Sequence, residues 1–267
     1  MVSGIFHVGS GIGNQLFRYV ATRVLALDKN TDFSMVAPEL FKGHGFMRLN
    51  MGNQQFPTNY KIEEGSGKTI PLASYDEKHK GLLLDVWEEK TSYYNPEINF
   101  VDRLDKPKHF GSAIIDGEFQ SIQYFGHRLD EVDQWLKVEP MDMDYETCVI
   151  GFRGGEFALF PELFLPKSYW DEAISIMVDK GVKKFEIHTD DAPLAKEFFK
   201  DYPVIHDIGI NWRSMRYAKY AIIANSSFFI LPRLLNGGHT IAPRYWARHN
   251  TKEWSRPDNY YSAFQYV

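Results

Sequence analysis

Four stretches of the sequence carry residue types that can do chemistry. In Arg153-Gly154-Gly155-Glu156, a guanidinium and a carboxylate stand three residues apart around two glycines, just after the apolar run Cys148-Val149-Ile150. A buried strand ending this way delivers charged groups to the loop at its carboxyl end, where open α/β sheets bind ligands. A β-turn closed by a surface ion pair between Arg153 and Glu156 reads equally well from this stretch alone. Thr189-Asp190-Asp191 and Asn225-Ser226-Ser227 likewise follow apolar runs, and offer carboxylates in one case and short amide and hydroxyl groups in the other. Near the amino terminus, Gly9-Ser10-Gly11-Ile12-Gly13-Asn14-Gln15 separates an apolar run from a helical pattern. In such an arrangement, backbone N–H groups at a helix start can meet a phosphate.

The elements that must position these groups follow from hydrophobic periodicity. Residues 5–8 read as a first strand. Leu16, Tyr19, Val20, Val24 and Leu27 form one stripe of the next helix, interrupted by Arg23. From residue 33 to 100, glycines and prolines separate short apolar pieces, as in the variable loops of a substrate-binding domain. Lys106-Pro107-Lys108-His109-Phe110 precedes a strand expected over 112–116, and a helix follows over 129–136. The second half is more regular. A helix begins at Pro166 with Ser168 as its expected cap and ends at Gly181. Residues 184–188 form a strand, Ala192-Pro193 opens a helix, and a short strand over 204–207 precedes a helix expected over 211–219. Residues 221–224 form a further strand. Strand and helix alternating over 145–250 predict a doubly wound parallel sheet. His188 and His206 lie on apolar strands and read as hydrogen-bonded core residues.

Bulk properties exclude several classes. The 267 residues are 44% hydrophobic and 24% charged, the balance of an ordinary globular protein. A formal net charge of −5 without a long basic tract argues against nucleic acid as the main partner. The single cysteine, Cys148, permits no intrachain disulfide and reads as a buried structural thiol, which fits a reducing, cytoplasmic compartment. No basic head resembling a signal peptide and no transmembrane segment is apparent. Gly9 and Gly11 begin a dinucleotide fingerprint, but Asn14 stands where its third glycine belongs, so a nicotinamide or flavin cofactor is not expected.

Taken in order, the motifs resemble those of the family 11 glycosyltransferases, the α-1,2-fucosyltransferase-related group with a GT-B fold. Gly11-Ile12-Gly13-Asn14-Gln15-Leu16-Phe17-Arg18-Tyr19 is similar to the family's opening motif, and Gly117-Glu118-Phe119-Gln120-Ser121-Ile122-Gln123-Tyr124-Phe125 to a central one. Gly151-Phe152-Arg153-Gly154-Gly155-Glu156-Phe157 echoes its arginine motif, with Gly151 and Gly154 where the family has a histidine and a second arginine. Thr189-Asp190-Asp191, Asn225-Ser226-Ser227-Phe228 and Ile241-Ala242-Pro243-Arg244-Tyr245-Trp246 complete the series.

The resemblance implies two Rossmann-like α/β domains facing a cleft, an acceptor-side domain over 1–140 and a nucleotide-sugar-binding domain over 141–267. It implies inverting, metal-independent transfer of a sugar, L-fucose from GDP-fucose first, to a glycan hydroxyl, with no cofactor beyond the donor. Xylose, rhamnose or another deoxy sugar, or a relative that binds nucleotide or glycan without turnover, are the alternatives. Arg153 would hold the departing β-phosphate, since its planar fork meets phosphate oxygens in parallel bonds. Glu156 is the first candidate for the base, with Glu118, Glu162 and His7 as rivals. Gly11, Gly13, Asn14 and Gln15 would face the donor. Asn225, Ser226 and Ser227 would contact pyrophosphate or ribose, or cap a helix. Asp190 and Asp191 would contact the nucleotide or cap a helix, rather than bind metal. Glycine at 151 and 154 predicts extra room beside the phosphate.

Overall fold

The computed structural model describes residues 1–52, 84–88, 112–246 and 261–267. The readings of residues 53–83 and 89–111 lie outside this set. The chain divides into two compact units, Met1–Lys137 and Val138–Val267.

In the first unit, β1 (Val2–Ile5), β2 (Phe33–Val36), β3 (Leu84–Glu88) and β4 (Ser112–Asp116) form a parallel sheet in the order β2-β1-β4-β3. Its first strand lies earlier than residues 5–8. Polar Ser3 is accommodated in the buried strand because its hydroxyl hydrogen-bonds that of Ser34 on β2 at 2.9 Å. Gly4 lets the next helix approach: a Cβ there would stand 2.1 Å from Thr22 Oγ1. That helix, α1 (Ile12–Asp28), is more deeply covered than one stripe, with Phe17, Arg18, Ala21 and Thr22 also buried. Arg23 lies over the Trp135 ring at 4.0 Å. A short α2 (Leu129–Trp135) follows the loop after β4, close to the expected bounds.

The second unit holds β5 (Thr147–Phe152), α3 (Lys167–Asp179), β6 (Lys184–Thr189), α4 (Ala192–Phe198), β7 (Val204–Ile205), α5 (Ile208–Tyr217), β8 (Tyr220–Ile223), α6 (Ser227–Asn236), β9 (His239–Ala242) and β10 (Phe264–Tyr266). The six strands are parallel in the order β10-β9-β8-β5-β6-β7. β5 runs through the centre with all six residues buried, and Phe152 at its end packs among the rings of Phe164, Trp170, Phe198 and Phe199. Cys148 is buried there, and desolvation pushes its thiol well above the ordinary range, so it serves as core and not as a nucleophile.

Local chemistry sets the helix starts. Asp191 caps α4, accepting from the Leu194 N–H at 3.1 Å, with Pro193 in the first turn. Asp207 caps α5 by accepting from Ile210 N–H at 2.8 Å, which starts that helix at Ile208 instead of residue 211. α3 starts at Lys167 after Pro166 without a side-chain cap, so Ser168 lies inside the helix and does not cap it. His188 is fully buried with its ring nitrogen 3.0 Å from Asn211 Oδ1, as expected of a core histidine. His206 is not: it lies exposed beyond the end of β7, because that strand is only two residues long.

Arg233 on α6 has no counterpart in the sequence reading. Fully buried, it donates to Met215 O at 2.9 Å, Ala218 O at 2.7 Å and Thr240 Oγ1 at 2.8 Å, tying α6 to the end of α5 and the start of β9. Burial pushes its guanidinium down to about 10, which leaves it charged at neutral pH.

Candidate functional site

The order of the second sheet creates the site. From β5 the chain adds β6 and β7 on one side, then crosses back to place β8, β9 and β10 on the other. The order reverses between β5 and β8, and the crevice outside the carboxyl ends of such a strand pair is the ligand position of doubly wound sheets. Gly151 pairs with Ile223, and the Ala224 N–H extends the ladder one step by donating to Gly151 O at 2.9 Å. Arg153 therefore leaves one lip of the crevice as Asn225 and Ser226 leave the other.

On the β8 side, Ser226 is extended, with φ −130°, and α6 starts after it with no side-chain cap and no acidic residue in its first turn. Amide groups at such a start are donors with the positive end of the helix dipole behind them. Asn225 is committed elsewhere. Its buried amide donates to Leu163 O at 3.0 Å and to Trp246 O, pinning two loops, so its N–H groups are not offered to a ligand. Asn225 also lines a small recess with Arg244, Trp246, Phe264 and Tyr266, beside the ends of β8 and β9.

On the β5 side, Arg153 is engaged by two carboxylates. It donates from Nη1 to Asp190 Oδ2 and from Nη2 to Glu156 Oε1 at 3.1 Å, and its guanidinium lies 5.2 Å from the centre of the Phe157 ring. The surface ion pair anticipated as the alternative is thus present, together with a second carboxylate, Asp190, from the end of β6. Asp190 also accepts the Gly154 N–H at 3.0 Å. Its carboxylate occupies a guanidinium and a backbone N–H together, the two kinds of donor a phosphate oxygen would use. Glu156, 67% exposed, meets solvent on its outer side.

The glycines around Arg153 do not create room. A Cβ on Gly151 would stand 2.8 Å from Met215 Cε and from Phe229 Cγ, one on Gly154 2.7 Å from Asp191 Cβ, and one on Gly155 2.4 Å from Asp190 Oδ2. The space expected beside the phosphate is filled by α5, α6 and the two aspartates. Gly155 also has φ +37°, a conformation that favours glycine. Of the two aspartates, Asp191 serves as the α4 cap and Asp190 as the arginine's counter-ion. Among the described residues, no group of three or more metal-ligating side chains converges.

The amino-terminal candidates lie in the first unit. Gly11 precedes α1 as its extended cap residue, and Gly13, Asn14 and Gln15 fall inside the first turns of the helix rather than in a loop. Gln15 is buried with both ends of its amide bound, donating to Leu40 O at 2.7 Å and accepting from Lys42 N at 3.0 Å. It holds the 40–42 loop and is not available to a donor. Asn14 accepts from Gln120 Nε2 at 3.1 Å. One turn later Arg18, given no role of its own within the opening motif, donates to Glu118 Oε1 at 3.0 Å. The i, i+4 spacing of Asn14 and Arg18 on α1 was the available signal.

This architecture has a solved counterpart. The chain matches the structure of an arginine-to-lysine variant of Arabidopsis thaliana FUT1 in complex with GDP, with a TM-score of 0.51 and 11% identity, over 91% of this chain and 70% of that one. At a TM-score of 0.46 and 12% identity, E. coli heptosyltransferase WaaC with ADP aligns over all of this chain and 92% of its own. A glycosyl transferase family 9 protein from Veillonella parvula DSM 2008 aligns at the same score and identity, over 86% of its length. No family model and no curated protein sequence matches the chain. The chain has an α/β fold of the GT-B type, built on two Rossmann-like sheets. Among the described residues, no helix is long and apolar enough to cross a membrane.

Proposed function

We propose that the chain is an inverting glycosyltransferase of the family 11 kind, moving a sugar, L-fucose from GDP-fucose first, to a glycan hydroxyl in the cytoplasm without a metal. The observation that carries this reading is the crevice between β5 and β8, with Arg153 on one lip and the uncapped start of α6 on the other. Such a transfer breaks the bond from the anomeric carbon to the β-phosphate oxygen, and the electron pair leaves with the phosphate. Fixed donors must meet that charge as it forms. Arg153 supplies permanent charge, and Ser226 and Ser227 with the first amides of α6 supply neutral donors. The carboxyl-terminal unit would hold the nucleotide sugar, and the amino-terminal unit would present the acceptor.

Arg153 must exchange one or both carboxylates for phosphate oxygens. Glu156 is 67% exposed, so exchanging that partner costs little. The test is direct. Purified protein with EDTA should release GDP from GDP-fucose in the presence of a glycan acceptor, and Arg153→Ala should abolish release while leaving the melting temperature within a few degrees. Full activity in that variant would remove Arg153 from the mechanism. A thermal-shift screen of GDP-, UDP- and dTDP-sugars separates fucose from xylose, rhamnose and other deoxy sugars.

One observation favours a second reading, a nucleotide- or glycan-binding relative without turnover. Two carboxylates on one guanidinium leave the site with a local excess of negative charge. Saturable GDP binding with no hydrolysis or transfer from any donor would decide for it.

A further inference from the structure

The first sheet has a switch point of its own. β2 lies on one side of β1 and β4 on the other, so the order reverses between β1 and β4. Two residues past the end of β4, Glu118 stands at this edge and meets Arg18, which also donates to Ile5 O, at the end of β1, at 3.5 Å. The side chains of Arg18 and Glu118 are 8% and 15% exposed. Only one carboxylate oxygen is used: Oε1 takes the guanidinium, and Oε2 is buried with no hydrogen-bond partner. An ion pair serving stability alone would use the arginine's second N–H on the second oxygen, since a buried acceptor left bare is costly. Next in sequence, Phe119 has φ +48° although it is not glycine, with its side chain fixed against the Tyr124 ring. Such backbone conformations persist where the surroundings impose them, and they cluster at ligand sites. Beyond it, Gln120 ties the loop to Asn14.

We propose that Glu118, oriented by Arg18, binds a hydroxyl of a neutral saccharide at this edge. The class of ligand rests on the glycosyl-transfer reading; the site rests on the unpaired oxygen. An ionised carboxylate with one oxygen anchored and the other bare is an acceptor for an O–H donor. The final torsion of a glutamate is broad and two-fold, so the carboxylate can rotate to bring Oε2 toward an approaching O–H donor.

The probes are the methyl glycosides of galactose, glucose, mannose and N-acetylglucosamine, followed by ligand-detected NMR on the full chain. The wild type is expected to bind at least one saturably, and Glu118→Gln to weaken that binding about 10- to 100-fold, the range for a hydrogen bond to a charged group. A paired variant, Arg18→Met with Glu118→Leu, removes both charges together and preserves folding if the single change does not. It should also lose saccharide binding. GDP-induced thermal stabilisation should survive in both, which separates this site from the donor site. Unchanged saccharide affinity in either variant, or no binding of any glycoside by the wild type, overturns the proposal. Loss of GDP stabilisation by the wild type would count instead against the glycosyl-transfer reading.

Discussion

Each unit pairs an arginine with a carboxylate near the carboxyl ends of its strands, yet the pairs have opposite characters. Arg153 is a quarter exposed, shared between Asp190 and Glu156, and set among glycines in a loop. Arg18 is buried on a long helix and donates to the Glu118 carboxylate and to a strand-end carbonyl. Exposed pairs contribute about 0–1 kcal/mol because solvent screens them. Removing one member of a buried pair costs about 3–5 kcal/mol, since the other charge is left without a partner. The carboxyl-terminal arginine, with one of its partners largely in solvent, therefore changes partners more readily. The amino-terminal arginine is fixed and can only orient what it holds.

Four measurements can break or sharpen this contrast. The largest effect is expected for Glu118→Ala, which removes the carboxylate facing the buried Arg18 guanidinium and should lower unfolding free energy by about 3–5 kcal/mol in urea titration. A loss below about 1 kcal/mol would show the pair to be solvated and the contrast unfounded. Next, Gly151→Ala should cost about 1–3 kcal/mol by overpacking against Met215 and Phe229, read as a lower melting temperature. Stability unchanged there would mean that the crevice has the spare room the sequence suggested. Arg153→Ala should change stability by less than about 1 kcal/mol while eliminating GDP-induced stabilisation, the reverse of the Glu118 pattern. Smallest is Asp190→Asn, which removes one negative charge from the guanidinium and should tighten GDP binding a few-fold in calorimetry. Weaker binding would instead make Asp190 the residue that positions Arg153.

Much of the second unit was legible because its signals are local. Apolar runs marked β5, β6 and β8, and Pro193 and Gly181 punctuated the helices around them. Apolarity was a poorer guide at β1, where Ser3 and Gly4 are buried for reasons that lie on β2 and α1. It also misled at His206, where two strand residues sufficed before the chain turned into solvent. Among the candidates, Asp191 and Gln15 could not be sorted from their types alone. A carboxylate before a helix caps it or contacts a ligand, and a buried amide binds whichever loop reaches it.

The sequence by itself determined the class of fold and the polar residues that end its strands, because periodicity and turn chemistry act within a few residues. Only the tertiary structure decided which strands are neighbours. That order brought Asp190 to Arg153 across 37 positions and Glu118 to Arg18 across 100, and it closed the space around Gly151. A charge can be read from one letter, but whether it is exchangeable or fixed depends on burial and partners, which come from distant parts of the chain.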